Sequence, residues 1–367
     1  MVCFRDAGSI PAISTVKKPA PPGAGFLVGY NSPGNGPKTM ISRREERYVS
    51  TTSRTKIPVI NLQDYMHGDA AAKAAFVKTW GDGLKEFGFV AVEGHPIDRA
   101  LIKRTYSLYE EFFAQPAAVK EPYGKVAGGQ RGYTTFGKEH AKDSKVGDLK
   151  EFWHVGRELG PDQPPTPDYP ANVWPTELPD FKATNLALYD QLEDTARILM
   201  RALGDYFELA DREYFRKAIE GGNTILRAIH YPPLLPHMDP RAVRAAAHED
   251  INMITILCEA TSSGLEILTH DGEWMAIDAL EGQLVVDAGD MLSRLTNNVI
   301  PSTTHRVVNP EGDNSPRYSL PFFVHPYSEF DITCLPECAT AEQPAKHPPI
   351  TAGEFLKQRL REIGLLK

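Results

Sequence analysis

Three side chains in this sequence have the types and spacing to hold one metal ion. His248, Glu249 and Asp250 are consecutive. On an extended strand, alternate side chains share a face, so His248 and Asp250 point the same way. Glu249 then points to the opposite face and is not expected as a ligand. His305 lies further on, in Pro301-Ser302-Thr303-Thr304-His305-Arg306-Val307, on a later strand of the same β-rich region. Two histidines and one carboxylate on one side of a metal leave the other side open. That arrangement suits non-haem Fe(II), which needs free positions for O2 and a co-ligand. Each piece also has a plainer reading. His-x-Asp recurs by chance, and His305 alone reads equally as a satisfied core histidine. His154, His230, His237 and His325 carry no such pattern and are assigned no role.

A second pair could grip an anion. Arg317 and Ser319 share one face of the strand that begins Arg317-Tyr318-Ser319. A guanidinium beside a hydroxyl suits a terminal carboxylate. Tyr231, before Pro232-Pro233, can add a further hydroxyl. A surface salt bridge is the plain alternative for Arg317. However, Leu320, Phe322 and Phe323 follow at once, which points this arginine into an apolar interior where a buried cation wants an anion.

These residues need a scaffold. After Gly221-Gly222 the sequence breaks into short β-rich runs: Thr224–Ile229, His248–Leu257, Leu265–Thr269, Trp274–Ile277, Leu284–Asp287, Met291–Leu295, His305–Val308 and Tyr318–Val324. Asp271-Gly272 between two of them is a hairpin signal. Regularly spaced short strands predict an antiparallel jelly roll, a double-stranded β-helix. The first half reads differently. Residues 70–87, Ile97 to Phe113, Leu186 to Phe207 and Asp211 to Ile219 have helical spacing, and Ile57–Ile60 and Phe89–Val92 are short strands. Residues 120–147 form a long Gly- and Lys-rich loop, and Ala352 to Leu366 a final helix. The expected fold is mixed α and β, with helices flanking a jelly-roll core.

Bulk properties narrow the partners. Forty Lys and Arg against 48 Asp and Glu give a net charge of −8, which argues against a nucleic-acid binder. Four cysteines in 367 residues read as reduced thiols, not a disulfide framework. No apolar run is long enough to cross a bilayer, and no secretory signal opens the chain. The cytoplasm is the expected location, without a membrane partner. Residues 1–39 are dense in Pro and Gly. They are expected to be a disordered tail, or an upstream extension if Met40 is the true start.

The ordered set of short motifs resembles one family. Leu226-Arg227-Ala228-Ile229-His230-Tyr231-Pro232, His248-Glu249-Asp250, Leu295-Thr296-Asn297-Asn298, Ser302 to Val307 and Arg317-Tyr318-Ser319-Leu320-Pro321-Phe322-Phe323 resemble the isopenicillin N synthase-like family of Fe(II)/2-oxoglutarate-dependent oxygenases. Upstream, Ile57 to Ile60, Phe87-Gly88-Phe89, Glu111-Phe112-Phe113, Arg131-Gly132-Tyr133 and Lys150-Glu151-Phe152 extend the likeness, which spans roughly Lys56 to Pro326. Many plant members carry Asn where Ile229 stands here, so a plant-type substrate does not transfer.

The resemblance implies His248, Asp250 and His305 as Fe(II) ligands. It implies Arg317 and Ser319, assisted by Tyr231, as the clamp for the far carboxylate of 2-oxoglutarate, with O2 as second co-substrate. Oxidative decarboxylation to succinate and CO2 would be coupled to hydroxylation, desaturation or cyclisation of a small molecule by a monomer. Two family variants stay open: an ethylene/succinate-forming oxygenase that fragments 2-oxoglutarate, and an isopenicillin N synthase-type oxidase in which the clamp holds the substrate. A non-redox metal-binding jelly roll is a more distant reading. A zinc hydrolase is disfavoured, since His248 to Asn252 lacks a second His. The expected organisation is an extension over 1–54, a helical region over 55–222, the oxygenase core over 223–330 and a C-terminal loop and helix over 331–367. Asn297 and Asn298 read equally as turn residues or as groups orienting the ligands. Arg131, Tyr133, Phe136 and Glu151 are candidates for the pocket mouth.

Overall fold

The computed structural model describes residues 56–125, 130–139, 148–236, 242–277, 281–310, 312 and 314–362. The proposed extension over 1–54, and the loop residues 126–129 and 140–147, lie outside them. Two sheets organise the described chain. The major sheet has eight strands, numbered in chain order: β1 (Val59–Asn61), β2 (Phe89–Glu93), β3 (Gly132–Thr134), β4 (Glu151–Gly156), β5 (Ile225–Tyr231), β7 (Ile254–Cys258), β10 (Leu284–Ala288) and β12 (Arg317–Val324). They lie in the order β1-β2-β10-β7-β12-β5-β4-β3. The minor sheet holds β6 (Ala245–His248), β8 (Leu265–Leu268), β9 (Trp274–Ala276) and β11 (His305–Val307), in the order β6-β11-β8-β9. Only β1 and β2 pair in parallel. Two facing antiparallel sheets with a helical flank are the mixed fold expected.

Strand alternation separates the two faces of the major sheet. On β12, Leu320, Phe322 and Val324 join the large apolar core, whereas Arg317, Ser319, Pro321 and Phe323 line a cavity between the sheets. Three short helices, α1 (Leu62–His67), α4 (Ala117–Lys120) and α6 (Tyr214–Ile219), link the longer elements. The core side is covered by α2 (Ala70–Phe87), α3 (Arg99–Phe113) and α5 (Phe181–Tyr206). In α2, Phe76, Trp80, Leu84 and Phe87 recur at helical spacing and are buried. Asp69 caps its first turn by accepting from Ala72 N at 2.9 Å. Along α5, Leu188, Leu192, Leu199 and Leu203 are fully buried, and Tyr189 meets Phe322 of β12 edge-on at 5.0 Å.

Gly88 ends α2 at φ +69°. A Cβ there would lie 2.0 Å from the Thr303 hydroxyl. Only glycine lets the turn before β11 approach so closely, and that turn carries His305 into the site.

Four expectations change on this scaffold. The run Met291–Leu295 forms α7 (Asp290–Leu295), not a strand. Met291, Leu292 and Leu295 share a helical face, and a short apolar run does not distinguish the two periods. The expected strand His248–Leu257 is broken. β6 ends at His248, and the chain crosses from the minor to the major sheet before β7. Besides β1 and β2, expected as strands, the first half supplies two strands that were not expected, β3 and β4, to the major sheet. The long helix α5 begins at Phe181 rather than Leu186. The final helix, α8, runs over Ala352–Glu362, and residues beyond 362 lie outside the described set.

Candidate active site

The structure brings His248, Asp250 and His305 together. One ligand atom from each lies within 4.8 Å of the others, the only such group of three or more metal-capable side chains among the described residues. His305 opens β11 and pairs in register with His248 at the end of β6. Asp250 sits just past the end of β6, so its shared direction with His248 comes from the crossing between sheets, not from strand alternation. Asp250 Oδ1 is 3.9 Å from Nε2 of each histidine.

The hydrogen bonds around the three groups leave the right atoms free. His248 Nδ1 lies 2.7 Å from Ala246 O, and His305 Nδ1 lies 3.1 Å from Thr303 O. A carbonyl oxygen only accepts, so each Nδ1 carries the proton and each Nε2 keeps its lone pair. Desolvation, then the neighbouring His305 ring, lower the His248 pKa to about 4, so the imidazole is neutral at ordinary pH. Thr255 donates its hydroxyl proton to Asp250 Oδ2, leaving Oδ1 aimed at the histidines. Phe89 meets the His305 ring edge-on at 5.5 Å and fixes its plane. Two neutral imidazoles and one carboxylate fit a divalent metal with an open face. Glu249 is exposed and accepts from Thr304 Oγ1 at 3.1 Å, outside the group.

Arg317, Ser319 and Tyr231 line a cavity of about 70 Å³ between the sheets, together with His248, Asp250 and His305. Arg317 is 2% exposed, and its Nε donates to Ser262 O at 3.1 Å. Its Nη1 is buried without any acceptor. Its guanidinium carbon stands 5.2 Å from the centre of the Tyr231 ring, its cross-strand neighbour on β5. Among the described residues, no carboxylate forms an ion pair with it. Arg244 was not singled out from the sequence. It is equally buried, and burial, then repulsion from Arg317, lower its pKa. Arg317, a cation held in the cavity without a counter-charge among the described residues, marks a place for an anion.

A second cavity of about 310 Å³ adjoins the first, sharing His248, Asp250, Lys150, Arg227 and Phe323 with it. Its deep wall carries Glu139, Asp148, Lys150, Arg227 and His154, and α8 contributes Leu356, Arg359 and Leu360. Lys150 Nζ is 2.8 Å from Glu139 Oε1 and 2.9 Å from Asp148 Oδ2. Arg227 donates from Nη1 to Glu139 Oε1 at 3.0 Å and from Nε to His154 Nε2. Burial opposes the Lys150 charge, but Glu139 and Asp148 outweigh it and raise the pKa. Burial likewise works against the Glu139 carboxylate, and Arg227 and Lys150 overcome it, holding its pKa well below the ordinary range. Burial lowers His325, another lining residue, to about 4.

This second wall was missed in the sequence by one residue. Glu151, a candidate for the pocket mouth, faces the other way. It binds Lys120 Nζ at 2.9 Å and His230 Nδ1 at 2.8 Å, and Tyr133 donates to it, in a buried knot against the helices. Its neighbour Lys150 faces the cavity, since successive residues of an extended chain alternate. Arg131 is likewise buried outside the cavity, and Gln130 lines it instead. Phe136 is exposed and does not line it. Asn297 and Asn298 prove to be turn residues, at φ +53° and +64°. Asn297 Nδ2 ties down Cys338 O at 3.1 Å and its Oδ1 accepts from Lys346 N at 3.0 Å. His154 and His325, given no role from the sequence, line the larger cavity, whereas His230 is the core histidine expected.

Comparison with known proteins agrees with this geometry. The family described as "2OG-Fe(II) oxygenase superfamily" matches residues 222–326, and "non-haem dioxygenase in morphine synthesis N-terminal" matches residues 57–177. A 2-oxoglutarate-Fe(II) type oxidoreductase, hxnY of Emericella nidulans, is 30% identical over 313 residues, covering 83% of this chain and 89% of that protein. A crystal structure of a 2OG-Fe(II) oxygenase family protein from Caulobacter crescentus is 42% identical. It superposes with a TM-score of 0.75, over 83% of this chain and 98% of that one. A full-length Neurospora crassa protein, solved in complex with alpha-KG and thymine, is 30% identical with a TM-score of 0.75, over 85% and 98% of the two chains.

Proposed function

The chain belongs to the 2OG-Fe(II) oxygenase superfamily, and from that premise we propose that His248, Asp250 and His305 hold its Fe(II), that Arg317, Ser319 and Tyr231 clamp the far carboxylate of 2-oxoglutarate, and that the larger cavity receives a small organic substrate. Iron bound by the three ligands supplies the redox chemistry, in which O2 converts 2-oxoglutarate to succinate and CO2, with one oxygen atom entering succinate and the other left for the substrate. The protein's own share is positioning and exclusion of water. Arg317 and Ser319 orient the co-substrate from one side. Thr255 and the two backbone carbonyls keep the ligands turned toward the metal.

The observation that carries the assignment is the unpaired Nη1 of Arg317, 2% exposed beside the metal group. A buried guanidinium without a carboxylate is costly unless an anion completes it. The two-chambered site supports a co-substrate role for 2-oxoglutarate over its being the only substrate. The smaller chamber adds Arg317, Ser319 and Tyr231, the larger adds Glu139, Asp148, His154 and residues of α8, and they share the metal group with Lys150 and Arg227. The thymine complex of the Neurospora crassa relative supports a small-molecule substrate.

The working form in this reading is a cytoplasmic monomer without a nucleic-acid or membrane partner. The acidic charge balance and the free Cys258 and Cys338 support it. Among the described residues, no helix is long and apolar enough to cross a membrane.

Anaerobic protein mixed with Fe(II) and 2-oxoglutarate is expected to give a visible charge-transfer band, and to release succinate once O2 is admitted. His248→Ala is expected to lower succinate release by about 10³-fold or more. Full turnover in that variant overturns the iron assignment, and a missing band in wild type overturns the 2-oxoglutarate clamp.

A further inference from the structure

We propose that Glu139 selects the substrate, and that it selects a small uncharged molecule bearing an amide N–H beside a carbonyl, such as a lactam or cyclic imide, over a carboxylic acid. The inference rests on the assignment of the larger cavity to the substrate. Glu139 is 8% exposed and lines that cavity. Its Oε1 takes both Lys150 and Arg227, at 2.8 and 3.0 Å. Its Oε2 is buried and accepts from nothing among the described residues. A buried carboxylate oxygen without a donor costs free energy, so a ligand that offers an N–H or O–H gains what the empty site lacks. Gln130 Oε1, on the same cavity, is also buried without a donor. A glutamine amide can turn over, so Glu139, which has no N–H form, decides the polarity.

The complementary half of the ligand follows from Arg227. Its Nε is committed to His154 and its Nη1 to Glu139, while Nη2 has no acceptor among the described residues. The Glu139–Arg227 pair therefore leaves over one acceptor and one donor. An amide edge offers the matching donor and acceptor on neighbouring atoms. Phe152 and Phe323 flank the guanidinium, at 4.2 and 5.1 Å from its carbon, and hold it in place.

Charge excludes the alternatives. On this wall Lys150 and Arg227 are balanced by Glu139 and Asp148. A carboxylic acid would find no unpaired cation and would set its own charge beside Glu139. An ammonium ion would find both carboxylates of this wall already taken by Lys150 and Arg227. The clamp at Arg317 shows the opposite design, an unpaired cation waiting for an anion. Ile225, Phe323 and Leu356 supply apolar surface for the rest of a ring.

The test uses glutarimide, 2-piperidone and dihydrouracil, the N-methyl derivatives of the first two, and cyclohexanecarboxylate. Binding is measured by calorimetry on anaerobic Fe(II) protein with 2-oxoglutarate, and succinate release is measured in air. At least one N–H amide is expected to bind and to stimulate succinate release. Its N-methyl derivative or the carboxylate should bind at least about tenfold more weakly. Glu139→Gln, which keeps the shape, should remove about tenfold of the N–H amide's affinity while the Fe(II)–2-oxoglutarate band persists. The N-methyl comparison needs no variant, so it decides the matter even if Glu139→Gln folds poorly. Equal binding of N–H and N-methyl amides, a preference for the carboxylate, or no amide binding at all, each with the band intact, overturns this inference alone. A wild-type protein without the band overturns the site reading beneath it.

Discussion

The two chambers that meet at the metal group are built on opposite electrostatic plans. The smaller one lies between strands of the two sheets and borders the larger through Lys150 and Arg227, and the anchor it alone holds, Arg317, has no counter-ion among the described residues. The larger one adds β4, the chain around Glu139 and Asp148, and α8, and each of its cations, Lys150, Arg227 and Arg359, is paired with a carboxylate. An unpaired buried cation is a binding site for one kind of anion whatever the substrate. A self-neutralised wall reads shape and hydrogen bonding instead. The first chamber therefore fits a constant co-substrate, and the second is where specificity is set.

The sharpest way to break this comparison is to remove the unpaired cation. Arg317→Met keeps the length and apolar stem of the side chain but deletes the charge. Removing one partner of a buried hydrogen-bonded charge pair costs roughly 2–5 kcal/mol. The Kd for 2-oxoglutarate should rise by about 10² to 10³-fold. In wild type, 2-oxoglutarate at saturating concentration should raise Tm by a few degrees, roughly 2–4 °C, because it binds only the folded state. In Arg317→Met at the same concentration the shift should vanish. The unliganded variant should lose no more than about 1 kcal/mol, the worth of the Arg317 Nε–Ser262 O hydrogen bond, since no native ion pair is lost. A larger destabilisation without ligand would show that Arg317 has a counter-charge in the resting protein, and the contrast between the chambers would fail.

Acid tests the other chamber. Arg227 and Lys150 hold the Glu139 pKa well below its ordinary 4.5, and His230 and Lys120 do the same for Glu151 on the far face of the sheet. A carboxylate whose folded pKa is depressed adds stability that is fully present above its unfolded pKa. That stability is lost as pH falls from there toward the folded value. Urea midpoints should therefore drop steeply from about pH 5 to pH 3. Glu139→Gln should be less stable at pH 7, by roughly 1–3 kcal/mol. It should also lose less than wild type between pH 5 and pH 3, since one of the titrating groups is gone. Parallel pH curves for the two proteins would mean that Glu139 is not held by its cations.

The same division explains what the sequence made legible. Arg317 and Ser319 could be read because β12 is a regular strand with Leu320, Phe322 and Val324 marking its core face. His248 and Asp250 were paired correctly for the wrong reason. The spacing of two residues reads as strand alternation, and a crossing between sheets delivers the same result. The larger chamber was illegible because its parts come from distant places. Glu139 and Lys150 lie outside the named strands and helices, Arg227 lies on β5, and Leu356 lies on α8. No period links them, and the short β4 was not anticipated, so its in-and-out pattern could not separate Lys150 from Glu151. One signal was available. Lys150-Glu151-Phe152-Trp153-His154 places Lys, Phe and His on one face if extended, and Glu and Trp on the other, which is what the structure shows.

The smallest expected effect separates the chambers without touching a charge. Leu356 on α8 is partly buried and lines only the larger cavity. α8 is held at its start by Ala352 N to Phe330 O at 2.8 Å and near its end by Arg359 against Asp290 at 3.1 Å. Leu356→Ala leaves both ties in place and removes only apolar contact. That loss is worth about 1 kcal/mol for a half-buried side chain. It should raise the KM for the substrate roughly five-fold. The KM for 2-oxoglutarate should stay within about two-fold, because the clamp residues lie on β5 and β12, away from the helix. Steady-state kinetics with each substrate varied in turn checks this. If both KM values rise together, α8 acts on the metal group itself and the two chambers are not independent; if only the substrate's rises, the helix belongs to the wall that sets specificity.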